Sequence, residues 1–225
     1  MEHNKMNDEY FEFFLENFGN PTEFIKATEK QIEVYRGVLP DKLLEYWGII
    51  GFSSFQNGLF WITDPSEFDD VIDSFLEGTG FDVYDNYHVI ARSAYGELYL
   101  WGERTGFSLS ILPHLNWIKT NKGYEEDIKK GRSDRAIQSF FSIRKILSID
   151  ESVDSKQLFP SVLKKHGPIK KDEVMVFNPY LFMGGEKSVG NMSKENLHVF
   201  LQVIADLGEA EIVDMASMIG NVIKN

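Results

Sequence analysis

The sequence predicts an α+β fold, a mainly antiparallel sheet flanked by helices, arranged as two closely packed subdomains. Three observations predict it. Short runs of β-type composition at residues 58–63, 87–92, 97–102, 108–112 and 116–119 are bounded by Gly, Pro, Asp and Asn. Stretches with apolar residues at helical spacing precede, interrupt and follow those runs. The 225 residues are 43% hydrophobic and 14% aromatic, enough for one large core or two small ones packed together.

The elements follow in order. Residues 8–18 read as a helix, with Tyr10, Phe11, Phe14, Leu15 and Phe18 on one face, Asn7 or Asp8 as cap and Gly19 as stop. Residues 21–34 read as a short helix running into a strand. Leu39 and Pro40 open a helix over 41–50, with Leu43, Leu44 and Trp47 on one face and Gly51 closing it. Residues 58–63 (GLFWIT) are a strand, and Asp64-Pro65 supplies the cap and first residue of the next helix. Over 66–76, Phe68, Val71, Ile72, Phe75 and Leu76 recur at helical spacing, while Glu67, Asp69, Asp70, Asp73 and Glu77 fill the other side.

Beyond the Gly78-Thr79-Gly80 break comes an aromatic and acidic loop at 81–86 (FDVYDN). Residues 87–92 and 97–102 form a hairpin around 93–96, and two further strands lie on either side of Pro113. Helices are expected at 122–130 and 134–147, the second with Ile137, Phe140, Phe141 and Arg144 on its apolar side. A linker at 150–156 precedes a helix at 157–165, a strand at 173–178 and a loop at 179–190. Helices at 193–207 and 211–223 complete the chain. The expected division is an acidic α+β domain over 1–120 and a mostly helical domain with a short β element over 121–225.

Charge is distributed unevenly. The net charge is −12, yet residues 1–110 alone carry 7 Lys and Arg against 20 Asp and Glu. No Lys or Arg occurs from residue 43 to 91, where nine carboxylates fall. Such a surface repels nucleic acid and anionic lipid and attracts a basic protein. Acidity in the first helical turn is favoured by the helix dipole, which accounts for Glu67 and Asp69 but not for Asp73 and Glu77 at the far end. The candidate partner-binding residues are therefore Glu67, Asp69, Asp70, Asp73 and Glu77, with Phe81, Asp82, Tyr84 and Asp85 from the following loop as mixed aromatic and acidic anchors.

Several kinds of chemistry are excluded. The absence of cysteine rules out disulfides, thiolate catalysis, Cys-ligated zinc and iron–sulfur clusters. The N-terminus lacks the basic and apolar regions of a signal peptide, and no run approaches the ~20 apolar residues of a membrane span. A soluble, cytoplasmic protein is expected. Gly184-Gly185-Glu186-Lys187-Ser188 resembles the end of a phosphate-binding loop, but Glu186 stands where glycine is needed and would repel phosphate. The five histidines show no i, i+3 or i+4 pairing for a metal on one helix face. His88, His114 and Glu97 are the one set that neighbouring strands could bring together, and they define the alternative reading of a small hydrolase or metal-dependent enzyme. No metal and no cofactor are expected on the leading reading. A regulatory adaptor that binds a basic protein is a third reading.

Two groups of segments also resemble known families. The residues LPDKLLEYWGIIGFSSFQNGLFWITDPSEFDDVIDSFL, then YHVIARSAYGELYLWGE and ILPHLNWI, are similar to the GAD-like domain of bacterial immunity proteins. The later LFPSVLKKHGPIKKDEVMVFNPYLFMGG and LHVFLQVIADLG resemble the C-terminal domain that accompanies it in type VI secretion immunity proteins. The shorter 39–51 pattern also resembles the wider SMI1/KNR4-like superfamily. The resemblance implies a non-enzymatic protein that binds and neutralises a cognate toxin, often a DNase, and it brings no catalytic residues with it.

Overall fold

The computed structural model describes residues 8–208 and 210–214. In chain order the elements are α1 (Glu9–Phe18), α2 (Glu29–Val34), α3 (Asp41–Ile50), β1 (Ser54–Phe55), β2 (Phe60–Ile62), α4 (Asp69–Leu76), α5 (Phe81–Tyr84), β3 (Tyr87–Ser93), β4 (Leu98–Gly102), β5 (Gly106–Leu112) and β6 (Trp117–Thr120). There follow α6 (Glu125–Lys129), α7 (Ser133–Ser142), α8 (Ile146–Ile149), β7 (Ser152–Val153), β8 (Lys156–Gln157), α9 (Phe159–His166), β9 (Glu173–Phe177), β10 (Met192–Asn196), α10 (Leu197–Asp206) and β11 (Glu211–Asp214).

Seven strands form one sheet in the order β1-β2-β3-β4-β5-β6-β11. Every pairing is antiparallel except the last, in which β11 runs parallel to β6. The fold class is α+β, as predicted. The pleat sends successive side chains to opposite faces. Tyr99 and Trp101 of β4 enter one apolar cluster with α1, α3 and α7, while Leu98 and Leu100 enter a second with α4 and α10. Both faces are covered, so all five residues of β4 are buried. The first cluster is aromatic: the Phe14 ring stacks on Phe18 at 4.5 Å and meets Phe55 and Phe141 edge-on.

The sequence order of residues 21–34 is reversed in the structure. An extended segment bridges Glu23 to Ser54, and the helix comes second, because Thr28 and Gln31 form a reciprocal capping box that starts α2. The expected loop 81–86 begins with the short helix α5. The expected helix 134–147 is interrupted after Ser142, and the Arg144 guanidinium turns onto the rings of Tyr99, Phe107 and Phe140 at 4.9, 4.5 and 4.2 Å. The expected linker 150–156 contains β7 and the start of β8, a small hairpin. Residues 193–196 are strand rather than helix, since β10 pairs in register with β9, and Asn196 becomes the cap of α10 by accepting from the Val199 amide. Residues 211–214, expected to start a helix, are strand β11; the remainder of that expected helix lies outside the described residues.

Candidate interaction surface

The acidic face is built on α4. Asp64 starts the turn before it, with Oδ1 accepting from the Ser66 amide at 3.1 Å and Oδ2 from the Gln31 side chain at 2.6 Å. Val71, Ile72, Phe75 and Leu76 are buried against the sheet and α10, which fixes the rotation of the helix. That rotation leaves Asp69, Asp70, Asp73 and Glu77 exposed, and none of the four side chains has an ion-pair or hydrogen-bond partner among the described residues. Burial raises the Asp69 carboxyl above its ordinary value; nearby Asp73, Asp64 and Asp70 add to the shift and His88 opposes it.

Glu67 differs from its neighbours. It is half-buried and ion-paired to Lys171 Nζ at 2.5 Å, so its charge is answered within the chain. Asp85 is buried too. Its carboxylate accepts from the backbone N–H groups of Asn86, Arg104 and Thr105 and from the Thr105 hydroxyl, which makes it the brace of the β4–β5 turn. Phe81 is half-buried, whereas Asp82 and Tyr84 are exposed. The Arg104 guanidinium lies over the Tyr84 ring, 5.1 Å from its centroid. Asp73, Ser74, Glu77 and Asp82 line an open cleft between α4 and α5 of about 390 Å³. The structure therefore places Asp73, Glu77 and Asp82 along this cleft, leaves Asp69, Asp70 and Tyr84 exposed and Phe81 half-buried outside its lining, and gives Glu67 and Asp85 internal partners. Residues Tyr87, Ser108 and Asn121, which line a separate concavity with Phe81 and Tyr84, carried no signal in the sequence.

The His88, His114 and Glu97 set is not assembled. His88 Nε2 lies 3.1 Å from Glu103 Oε1, Glu97 accepts from the Tyr99 hydroxyl at 2.9 Å, and His114 Nε2 lies 3.0 Å from Glu151 Oε1. Each has its own partner. No group of three or more His, Asp or Glu side chains suited to a metal occurs among the described residues. Lys187, from the segment resembling a phosphate loop, is engaged by Glu151 at 2.6 Å. No helix among the described residues is long and apolar enough to cross a membrane.

Comparison with known proteins gives the same two segments that the motifs marked. Residues 9–115 match the family described as GAD-like domain, and residues 134–208 match T6SS immunity protein Tdi1, C-terminal. No curated protein matches the chain. Among solved structures, the crystal structure of Atu4351 from Agrobacterium tumefaciens is similar with a TM-score of 0.77 at 20% identity, covering 91% of this chain and 92% of that one. At that identity the likeness establishes the shared fold. The chain thus carries a GAD-like domain match over residues 9–115, followed by a match to the C-terminal domain of the T6SS immunity protein Tdi1 over residues 134–208.

Proposed function

We propose that the protein is an immunity protein that binds a cognate interbacterial toxin in the cytoplasm of the producing cell and neutralises it without catalysis. The toxin is a basic nuclease domain, and neither nucleic acid nor a membrane is a partner. The observation that carries the reading is the succession of the two immunity-family domains along one chain. The unpaired carboxylates of α4 and α5 support the nuclease part. A nuclease presents cations to its phosphate substrate, and an acidic surface without internal counter-charges is complementary to that groove. The modules over 1–120 and 121–225 act as one rigid body in this reading, with the acidic face on the first.

The test is to mix the purified protein with the toxin encoded beside it and measure both complex formation by calorimetry and residual nuclease activity. A 1:1 complex with loss of activity is expected. Absence of binding at micromolar concentration overturns the reading; binding to a toxin with no nuclease activity retains the immunity role and removes the nuclease.

A further inference from the structure

A second concavity also borders α5. It measures about 180 Å³ and is walled by the rings of Phe81, Tyr84 and Tyr87, with Ser108, Asn121 and Glu125 among its polar lining. The volume decides what it can hold. Small-molecule sites run to roughly 300–1,000 Å³, so this one is sized for a single protruding side chain.

Its walls are already fixed in the free protein. The Thr105 hydroxyl donates to Asp85 at 2.7 Å and stands 2.8 Å from the Ser108 hydroxyl, so the buried Asp85 anchors a line of polar groups beneath the pocket. Tyr87 is buried next to them. Arg104 holds the exposed Tyr84 ring from one side. One group lacks a partner among the described residues: the Asn121 side-chain nitrogen is shielded from solvent and makes no hydrogen bond with them. An unmet donor of this kind is unfavourable until an acceptor reaches it. Rings that offer apolar area, one waiting donor and a preformed shape are the properties of an anchor pocket at the centre of a protein interface.

We propose that this pocket is the anchor site for the toxin, and that it receives one aromatic side chain bearing a hydroxyl, a tyrosine, from a basic segment of that partner. The ring lies among Phe81, Tyr84 and Tyr87, and the hydroxyl oxygen accepts from Asn121 once that side-chain nitrogen, which has no hydrogen bond to break among the described residues, turns toward the pocket. Charge selects the segment: cations flanking the tyrosine meet Asp73, Glu77 and Asp82 in the adjoining cleft, which have no ion pair of their own among the described residues. Lys122 and the Lys129–Glu125 pair at 2.6 Å border the other side, so the basic flank runs toward α4 and not toward α6. The anchor fixes register, and the cleft sets the rate of encounter. This rests on the toxin-binding reading above, and it makes the aromatic pocket, not the acidic face, the main source of affinity.

Asn121→Phe is the informative variant, because the side-chain nitrogen it removes makes no hydrogen bond among the described residues and the new ring fills the pocket. Binding to the neighbouring-gene toxin is expected to weaken at least 20-fold in Asn121→Phe and at least 10-fold in Tyr84→Ala. Val83→Ala, a change at an exposed neighbour outside the pocket, is expected to stay within twofold. Thermal unfolding and sedimentation accompany each variant. If the toxin binds the wild type and both pocket variants alike, the anchor is refuted while the immunity reading stands. If the toxin does not bind the wild type at all, N-acetyl-tyrosinamide is titrated against the labelled protein by NMR. Shifts confined to residues 81–87 and 121, abolished in Asn121→Phe, support a tyrosine site for another basic partner; their absence overturns it. A change in oligomeric state on filling the pocket assigns the site to a second copy of the chain and likewise overturns the toxin anchor.

Discussion

At the scale of single residues, the buried carboxylates join distant parts of the chain. Asp8 caps α1 and also accepts from the Tyr46 hydroxyl at 2.6 Å and the Gln138 amide at 2.9 Å. Burial pushes its carboxyl up, but these bonds together outweigh burial and hold it below the ordinary range. Glu151 is the stronger case. Burial raises it, yet His114 and Lys187 bring it down to about 2. A carboxyl lowered on folding contributes stability that is complete above its unfolded value, about 4.5, and is lost as pH falls toward its folded one. Glu151→Gln is therefore expected to cost roughly 2–3 kcal/mol at pH 7. It should also flatten the loss of stability between about pH 4.5 and pH 2, as read by urea unfolding across that window. Asp150 beside it moves the other way, raised by burial, so the two neighbours act on acid stability with opposite signs.

Glycines give a second contrast at this scale. Gly58 has φ +95°, and a Cβ there would run into the Ile169 carbonyl, next to the Ile169 N–H that donates to Asn57 at 3.0 Å. Gly37 has φ +78° but open space around it. Gly58→Ala is expected to destabilise by roughly 2–4 kcal/mol and Gly37→Ala by about 1 kcal/mol in denaturant titrations. The first adds a backbone collision to the conformational strain that both share. Beyond the capping by Asp8, these roles were not legible in the sequence, because a carboxylate's partners 38 or 130 residues away leave no local pattern.

At the scale of elements, legibility followed the range of the forces involved. Helices α1 and α3 and the β3–β4 hairpin were readable because cap, stop and periodic apolar stripe all lie within their own residues. The failures lie where a tertiary partner decided. Residues 192–196 carry polar residues that fit a helix start, and the β9 edge recruits them as a strand instead. β11 forms against the otherwise open edge of β6. The acidity of α4 was legible, but its division was not: Glu67 turns to Lys171 while Asp69, Asp70 and Asp73 remain outside. The triple variant Asp69→Lys, Asp70→Lys, Asp73→Lys removes no internal bond, so its melting temperature falls only by the helix-dipole preference lost at Asp69 and Asp70 in the first turn of α4. It is expected to slow association with a basic toxin by at least tenfold at low salt, with the difference shrinking as salt rises. Stopped-flow rates at two ionic strengths check this; equal rates at low salt would make the face a solubility surface. A cation brought to Asp69 also lowers its raised carboxyl, so binding releases a proton and strengthens as pH rises through the free-state value.

At the scale of the whole molecule, the two family segments share one interior. Phe11, Trp47 and Tyr99 from the first lie in the same apolar cluster as Phe140, Phe159 and Phe177 from the second. Arg92 is buried beside Trp61 and donates to the carbonyls of Lys170 at 3.1 Å and Lys171 at 2.6 Å. Burial lowers its proton affinity to about 9, and it remains charged at neutral pH. The Met175 amide bonds the Ala94 carbonyl at 2.8 Å, and β11 closes the sheet of the first segment. Cutting the chain near residue 120 would strip α7 and α10 from the two faces of the sheet and leave a buried guanidinium without its acceptors, a change that costs several kcal/mol on its own. The intact chain is therefore expected to unfold in one transition, with the calorimetric enthalpy equal to the van't Hoff enthalpy. A fragment of residues 1–120 is expected to show no cooperative melt. Two separated transitions, or a fragment that melts cooperatively, would mean that the modules are thermodynamically independent, and the acidic face could then move relative to the Tdi1-type domain when a partner binds.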